Sequence, residues 1–217
     1  MKKMLMTIDT EGLWVDKSTN TALIYNVGWA VHTHDGEIMT SRSYLVKEIF
    51  FNQIKTASSR YYQQKTLKYL AMLTNGEIKL ASWWEIQAQF AKDTFNYNAK
   101  KVLAYNARYD RNSLNYTAHY FGLPEEAEWT SLEWWDTWEM FKTSRAEQVR
   151  YKRFCDENNH KTAKGNNKTT AEVATKYLSG DCKFTEDHTA LEDVLIEIQI
   201  YVACRKMHKK MQRLIKE

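Results

Sequence analysis

The sequence predicts an α/β domain in three layers: a mixed five-stranded sheet, antiparallel in its first three strands, flanked by helices. Three observations predict it. Apolar and aromatic residues alternate through 21–33, turn at Asp35-Gly36 and return from Ile38 to Val46, which is a hairpin pattern. From about 47 to 98 the apolar spacing becomes helical. After that, short apolar strands lead into helices, and the last helix is long with one apolar face.

Each element has its own local reason. Residues 4–9 form a short apolar run that reads as the first, buried strand. Leu23, Tyr25, Val27, Trp29 and Val31 give the second strand its period of two. Leu67, Leu70 and Leu73 have helical spacing, and Ser82 starts an amphipathic helix carrying Trp83, Trp84, Ile86, Phe90 and Phe95. Residues 101–105 read as a strand that leads into a helix over 108–120. The sole proline, Pro124, marks the turn that follows, and residues 132–136 are the fifth strand. Segment 142–168 is a basic, then polar insertion whose tail, 156–168, reads as a mobile surface loop. Thr169 or Thr170 caps a helix to about 179. The final helix is expected from near Thr185 to about 210, with Leu191, Val194, Leu195, Ile198 and Val202 on one face. Residues 1–217 read as one domain. Trp83-Trp84 and Trp134-Trp135 with Trp138 read as core packing.

Composition narrows the function. At 43% hydrophobic and 27% charged residues, the chain is in the ordinary globular range, which excludes a disordered or collagen-like protein. The net charge of +4 permits a nucleic-acid partner without demanding one. Three cysteines without a C-x-x-C pair argue against a disulfide framework or a cysteine zinc site, and so for a reducing cytoplasmic setting. No apolar run approaches the ~18 residues of a membrane span, so no membrane partner is expected.

The chemistry is concentrated in four acids and one histidine. Asp9 and Glu11 lie two apart at the end of the first strand and project to one side. Two carboxylates that close repel unless one is protonated or a cation lies between them, and hard oxygen ligands favour Mg²⁺ or Mn²⁺. A second Asp-x-Glu, Asp35 to Glu37, belongs to the hairpin turn. Asp110 follows a strand by one helical turn, where the helix dipole alone would favour an acid. On a helix, His188 and Asp193 differ by about 140° around the axis and ~7.5 Å along it. That separation suits two depths of one cleft rather than side-by-side ligation of one ion.

Taken in order, Thr7-Ile8-Asp9-Thr10-Glu11-Gly12, Asn106 to Asp110, and His188 to Asp193 resemble the three motifs of the DnaQ-like 3′–5′ exonucleases. The resemblance is to the DEDDh subgroup, whose fold is ribonuclease H-like, and it runs from Thr7 to about Val202. Trp135-Asp136-Thr137 also resembles the Asp-Thr pair that ends the family's fifth strand. The resemblance implies a 3′–5′ exonuclease that releases 5′-mononucleotides from single-stranded or frayed DNA ends. It implies two divalent ions, Mg²⁺ or Mn²⁺, held by Asp9, Glu11, Asp110 and Asp193, with His188 taking the proton of the attacking water. Gly12 and Leu13 would meet the terminal nucleotide, Leu13 or Trp14 would wedge against its base, and Asn106 would position the scissile strand. The implied partner is a single-stranded nucleic-acid 3′ end, DNA before RNA, and a DNA polymerase is a further candidate. RNA or oligoribonucleotide hydrolysis by the same chemistry is the nearest alternative. A catalytically silent nucleic-acid-binding domain is the next, and the four retained acids argue against it.

Overall fold

A computed structural model of the chain describes residues 4–54, 60–123, 128–207, 211 and 213. The turn expected at Pro124 lies outside these residues, and the last helix, expected to reach about 210, ends at Arg205, with 206–207 already a turn. Strand β1 (Met4–Asp16) pairs antiparallel with β2 (Thr21–Thr33), and β2 pairs antiparallel with β3 (Ile38–Val46). A short helix α1 (Lys47–Ile49) passes into a π-helical stretch, Phe50–Ile54, and α2 (Arg60–Thr74) follows. Next come β4 (Lys79–Ala81), α3 (Trp83–Tyr97), β5 (Lys101–Ala104), α4 (Ala107–Tyr120), β6 (Glu133–Asp136) and α5 (Thr137–Phe141). The chain continues through α6 (Val149–Glu157) and α7 (Ala171–Ser179) to α8 (Ala190–Arg205). The sheet order is β4-β3-β2-β1-β5-β6, with β4, β5 and β6 each parallel to the neighbour nearer the centre.

Among the described residues the sheet thus has six strands rather than five. The added edge strand, β4, is three residues long, too short for alternation to register, and pairs beside Tyr44, Leu45 and Val46. β1 runs well past residue 9, because β2 supplies partners as far as Asp16. A bulge falls between Glu11 and Gly12. A Cβ at position 12 would lie 2.6 Å from that of Ala22, so the bulged strand can approach β2 only with glycine there. Asp9 and Glu11 therefore sit inside a central strand, not at its end.

Alternation along β1 divides the two faces. Met6 and Ile8 enter the larger core with Trp29, Phe90 and Leu114, under α3 and α4. Leu5 enters a second core with Leu103, Phe141, Tyr151 and Tyr201, under α5 to α8. By period two, Asp9 and Glu11 share the α8 face with Leu5. Ser82 caps α3 in a capping box with Glu85. Trp83, Trp134 and Trp135 are core residues as expected, whereas Trp84 is 55% exposed on the outer side of α3.

Three further expectations change. In α2, Leu67 is 71% exposed, while Lys65 and Tyr69 turn inward. Segment 142–157 is largely helical, a π-helical turn Lys142–Ala146 followed after a break by α6: Tyr151, Phe154 and Cys155 recur at helical spacing among the basic residues and pack inward. Only the polar tail to 168 lacks helix, and it is closed by a bridge between Lys161 and Asn167. Finally, α8 starts at Ala190 rather than Thr185. His188 has φ +53°, a left-handed conformation that a right-handed helix cannot pass through.

Candidate active site

The site lies where β1, the start of α4 and the start of α8 converge. Two buried features place α8. Gly28 pairs with Asp9 across the ladder, and a Cβ there would lie 2.5 Å from the Leu191 backbone nitrogen. The helix therefore rests directly on the sheet at the one residue of β2 that leaves room for it. Asn26, fully buried, accepts the Ala190 backbone N–H at 3.0 Å and the Tyr69 hydroxyl at 2.9 Å, and donates to the Tyr44 carbonyl at 2.9 Å. Asp193 is thereby held one turn into α8.

Glu11, His188 and Asp193 each bring one potential ligand atom within 4.8 Å of the others. Asp9 and Asp110 do not belong to that group, yet Asp9 is an electrostatic neighbour of Glu11 and Asp193, and Asp110 is one of Asp9. The Asp9 carboxyl is held well above the usual range by burial and then by Asp110, Glu197, Asp193 and Glu11. Asp193 is pushed up to about 8 by burial, with Glu186 and Glu11 adding to it. Asp110 is pushed up to about 8 by burial, against hydrogen bonds from Thr10 that act to lower it. Thr10, between the two carboxylates of β1, donates its hydroxyl to Asp110 at 2.8 Å and so links the strand to α4.

His188 sits outside the helix, 51% exposed, with Nδ1 3.8 Å from a Glu186 oxygen. Its left-handed backbone brings the ring level with Asp193. The helical offset of 140° does not apply, because the pair straddles the helix start.

Three site residues were not singled out from the sequence. Glu197 is 3% exposed, four residues beyond Asp193, and one of its carboxylate oxygens has no hydrogen-bond partner among the described residues. Burial and then Asp110 and Asp193 hold its pKa well above the usual range. Its i, i+4 spacing to Asp193 was the available signal, masked by an apolar stretch that reads as core. Glu186 is pushed to about 7 by burial and by Glu172 and Glu11. Lys65, from α2, places its ammonium 2.7 Å from Glu11 Oε2. Nothing local in α2 marks Lys65 as an inward residue.

A cleft of about 480 Å³ is lined by Asp9, Asn106, Asp193, Glu186 and Glu197 together with Trp138 and residues 167–171, while Glu11, Lys65, Asp110 and His188 lie outside that lining. Asn106 has φ +65°, and its backbone N–H is held by Asp136, which also caps α5. Gly12, Leu13 and Trp14 do not line the cleft; Trp14 is 47% exposed and packs on Tyr109 with ring centroids 5.1 Å apart.

The residues fit hard divalent cations. The donors are carboxylates and one imidazole, and Asp193 Oδ1 and Glu197 Oε2 are buried without hydrogen-bond partners among the described residues. So many ionisable carboxyls in one buried volume call for a positive counter-charge or for protons.

No family model and no curated protein matches the chain. Solved structures do match. The zinc-bound form of an E. coli exonuclease I–single-stranded DNA complex aligns at 12% identity and TM-score 0.57. The alignment covers 96% of this chain and 41% of the exonuclease I chain, so the chain spans under half the length of that neighbour. A full-length 3′-exonuclease aligns at 11% identity and TM-score 0.62, covering 98% of this chain and 90% of that one. The nuclease domain of 3′hExo, a DEDDh family member bound to rAMP, aligns at 12% identity and TM-score 0.57, covering 98% and 96%. At these identities the likeness is one of fold: the chain shares its α/β fold with solved 3′-exonucleases, one of them described as a DEDDh family member.

Proposed function

We propose that the chain, residues 1–217, is one exonuclease domain that hydrolyses phosphodiester bonds from the 3′ end of single-stranded or frayed DNA with divalent metal, releasing 5′-mononucleotides. The observation that carries the reading is the meeting of Glu11, His188 and Asp193 within 4.8 Å, with Asp193 and its neighbour Asp9 lining an open cleft and Asp110 acting electrostatically on Asp9. The shared fold supports it, since neighbours of this fold are 3′-exonucleases. Glu11, Asp193 and Asp9 would hold one ion, and Asp9 with Asp110 a second, Mg²⁺ or Mn²⁺ in each case. Ions bound there supply positive charge to the attacking and leaving oxygens of an in-line phosphoryl displacement.

The chain's own residues do the rest. His188 lies at the solvent-facing side of the triad, where its free ring nitrogen takes a proton from an attacking water. Glu186, beside Nδ1, orients the ring and stabilises the imidazolium formed. Asn106, on the cleft wall, orients the scissile strand, and Gly12 and Leu13, outside the cleft lining but next to Glu11 along β1, would meet the terminal nucleotide where it extends beyond the cleft. Trp14, half exposed at the edge of the extended β1–β2 hairpin, offers a face on which a base can stack.

A second reading, the same hydrolysis on RNA, is favoured by the DEDDh nuclease domain bound to rAMP among the fold neighbours. The deciding experiment is a matched set of 3′-labelled DNA and RNA oligonucleotides, single- and double-stranded, with Mg²⁺ or Mn²⁺ and with product analysis. Shortening from the 3′ end that stops with EDTA and in Asp9→Ala and Asp193→Ala is the expected result. Absence of cleavage on every substrate with either metal sinks the nuclease reading.

A further inference from the structure

Lys65 is a buried lysine whose ammonium lies among the acids of the centre. It is 2.7 Å from Glu11 Oε2, its charge also acts on Asp193, and its Nζ lies 3.4 Å from the Tyr25 hydroxyl. The residue is 9% exposed. Its helix places it there at the expense of apolar burial, since Leu67 faces solvent while Lys65 and Tyr69 turn in. Three residues on, Lys68 fixes the same helix to the segment before α8. Its ammonium donates to the Asp187 carbonyl at 3.0 Å and lies 3.4 Å from Glu192. The two lysines share one helix face and hold α2 over Glu11, His188 and Asp193.

A metal ion at that triad must share Glu11 with the ammonium. The two cations repel, so the lysine lowers metal affinity. A site optimised for metal alone has no use for it. A site that must bind a phosphate dianion beside the metal does, because an ammonium is a compact, strongly donating phosphate ligand.

We propose that Lys65 is a built-in cation of the centre: it neutralises Glu11 before metal binds, competes with the metal for that carboxylate, and donates to a non-bridging phosphate oxygen of the bound nucleotide. This rests on the phosphodiesterase reading for the identity of its ligand, a nucleic-acid phosphate. The structural alternative, in which Lys65 only pins α2, predicts no change in the affinity of the centre itself.

The test uses the full chain, as wild type, Lys65→Met and Lys65→Arg, with thermal melting to confirm folding and Lys65→Gln as a substitute if the methionine variant does not fold. Mn²⁺ titrated into metal-free protein is expected to bind Lys65→Met about 5-fold or more tightly than wild type, because the competing charge is gone. Deoxynucleoside 5′-monophosphate, titrated at saturating Mn²⁺, is expected to bind that variant about 10-fold more weakly. Lys65→Arg keeps the charge and stays near wild type in the Mn²⁺ titration. Unchanged or weaker Mn²⁺ affinity in Lys65→Met overturns the proposal, and so does unchanged nucleotide affinity. A wild type that binds Mn²⁺ and nucleotide but cleaves no nucleic acid overturns the nuclease reading alone, and the two titrations still decide on Lys65.

Discussion

Asn26 Oδ1 accepts the backbone N–H of Ala190 at 3.0 Å, joining the interior of β2 to the first residue of α8. The same side chain satisfies the Tyr69 hydroxyl and the Tyr44 carbonyl. Asn26→Ala leaves three buried polar groups without that partner. The expected cost is about 2–4 kcal/mol, which lowers the melting temperature by roughly 4–16 °C in a domain of this size. Calorimetry on the metal-free protein checks it, and a loss under 1 °C is incompatible with the role assigned to Asn26.

Gly28→Ala tests the contact from the other side. The new Cβ would lie 2.5 Å from the Leu191 nitrogen and 2.7 Å from the Ala190 carbonyl carbon, both backbone atoms. The start of α8 must move, carrying Asp193 away from Glu11. We expect a folded protein whose turnover falls about 100-fold or more, since an ångström of misplacement costs that much. Wild-type turnover in a folded Gly28→Ala protein would show that the spacing between β2 and α8 does not set the site.

Glu197 is buried beside Asp9, Asp110 and Asp193 with one oxygen unpartnered. Glu197→Gln keeps the shape and removes the charge. The metal-free protein is expected to gain about 1 kcal/mol, or roughly 2–4 °C in melting temperature. The further rise on adding Mn²⁺ should be smaller than in wild type, because one carboxylate no longer contributes to the ions' field. Equal metal-induced rises in the two proteins would separate Glu197 from the metal centre.

His32 offers a pH test away from the site. It is fully buried on β2, where Nδ1 faces the Thr33 carbonyl and Nε2 the Thr7 hydroxyl, each at 2.8 Å. A carbonyl only accepts, so Nδ1 carries the proton of the neutral ring and Nε2 accepts from Thr7. Burial lowers the folded pKa to about 4 from an ordinary 6.5. Below pH 6.5 the unfolded chain takes up a proton that the folded protein refuses, so stability falls with pH and this loss levels off near pH 4. The His32 share is about 3 kcal/mol. Denaturant melts at pH 7 and pH 4.5 should show a steeper loss in wild type than in His32→Asn; parallel losses would remove His32 as the cause.

Much of this was legible in the sequence because it is local. The Asp35-Gly36 turn, the Ser82 cap, the Thr170 cap and the alternation of β2 are each specified within a few residues. Asp9, Glu11, Asp110 and Asp193 could be picked out because, with His188, they follow in the order of the three exonuclease motifs that the chain resembles. What stayed hidden depends on distant partners. β4 exists because β3 has an edge to offer. Lys65 turns inward because Glu11 lies across from it, 54 residues away by number, and no pattern within α2 carries that information. Glu197 looks like one polar break in an apolar helix face until Asp9 and Asp110 are placed around it. The start of α8 was misplaced by five residues because the left-handed turn at His188 leaves no compositional mark.

The sheet order gives the centre two mechanically unequal halves. β1 lies between β2 and β5, paired with β5 at Met6 and Thr7 and with β2 through Asp9, so the amides around Asp9 belong to the central ladder and exchange their hydrogens slowly. His188 belongs to a segment with no ladder and no helix, half open to solvent, and such a segment can unfasten alone. Hydrogen exchange should therefore be slow at Asp9 and fast at His188, although both belong to the proposed site. A product can then leave by loosening one side of its pocket while the anchoring strand never lets go.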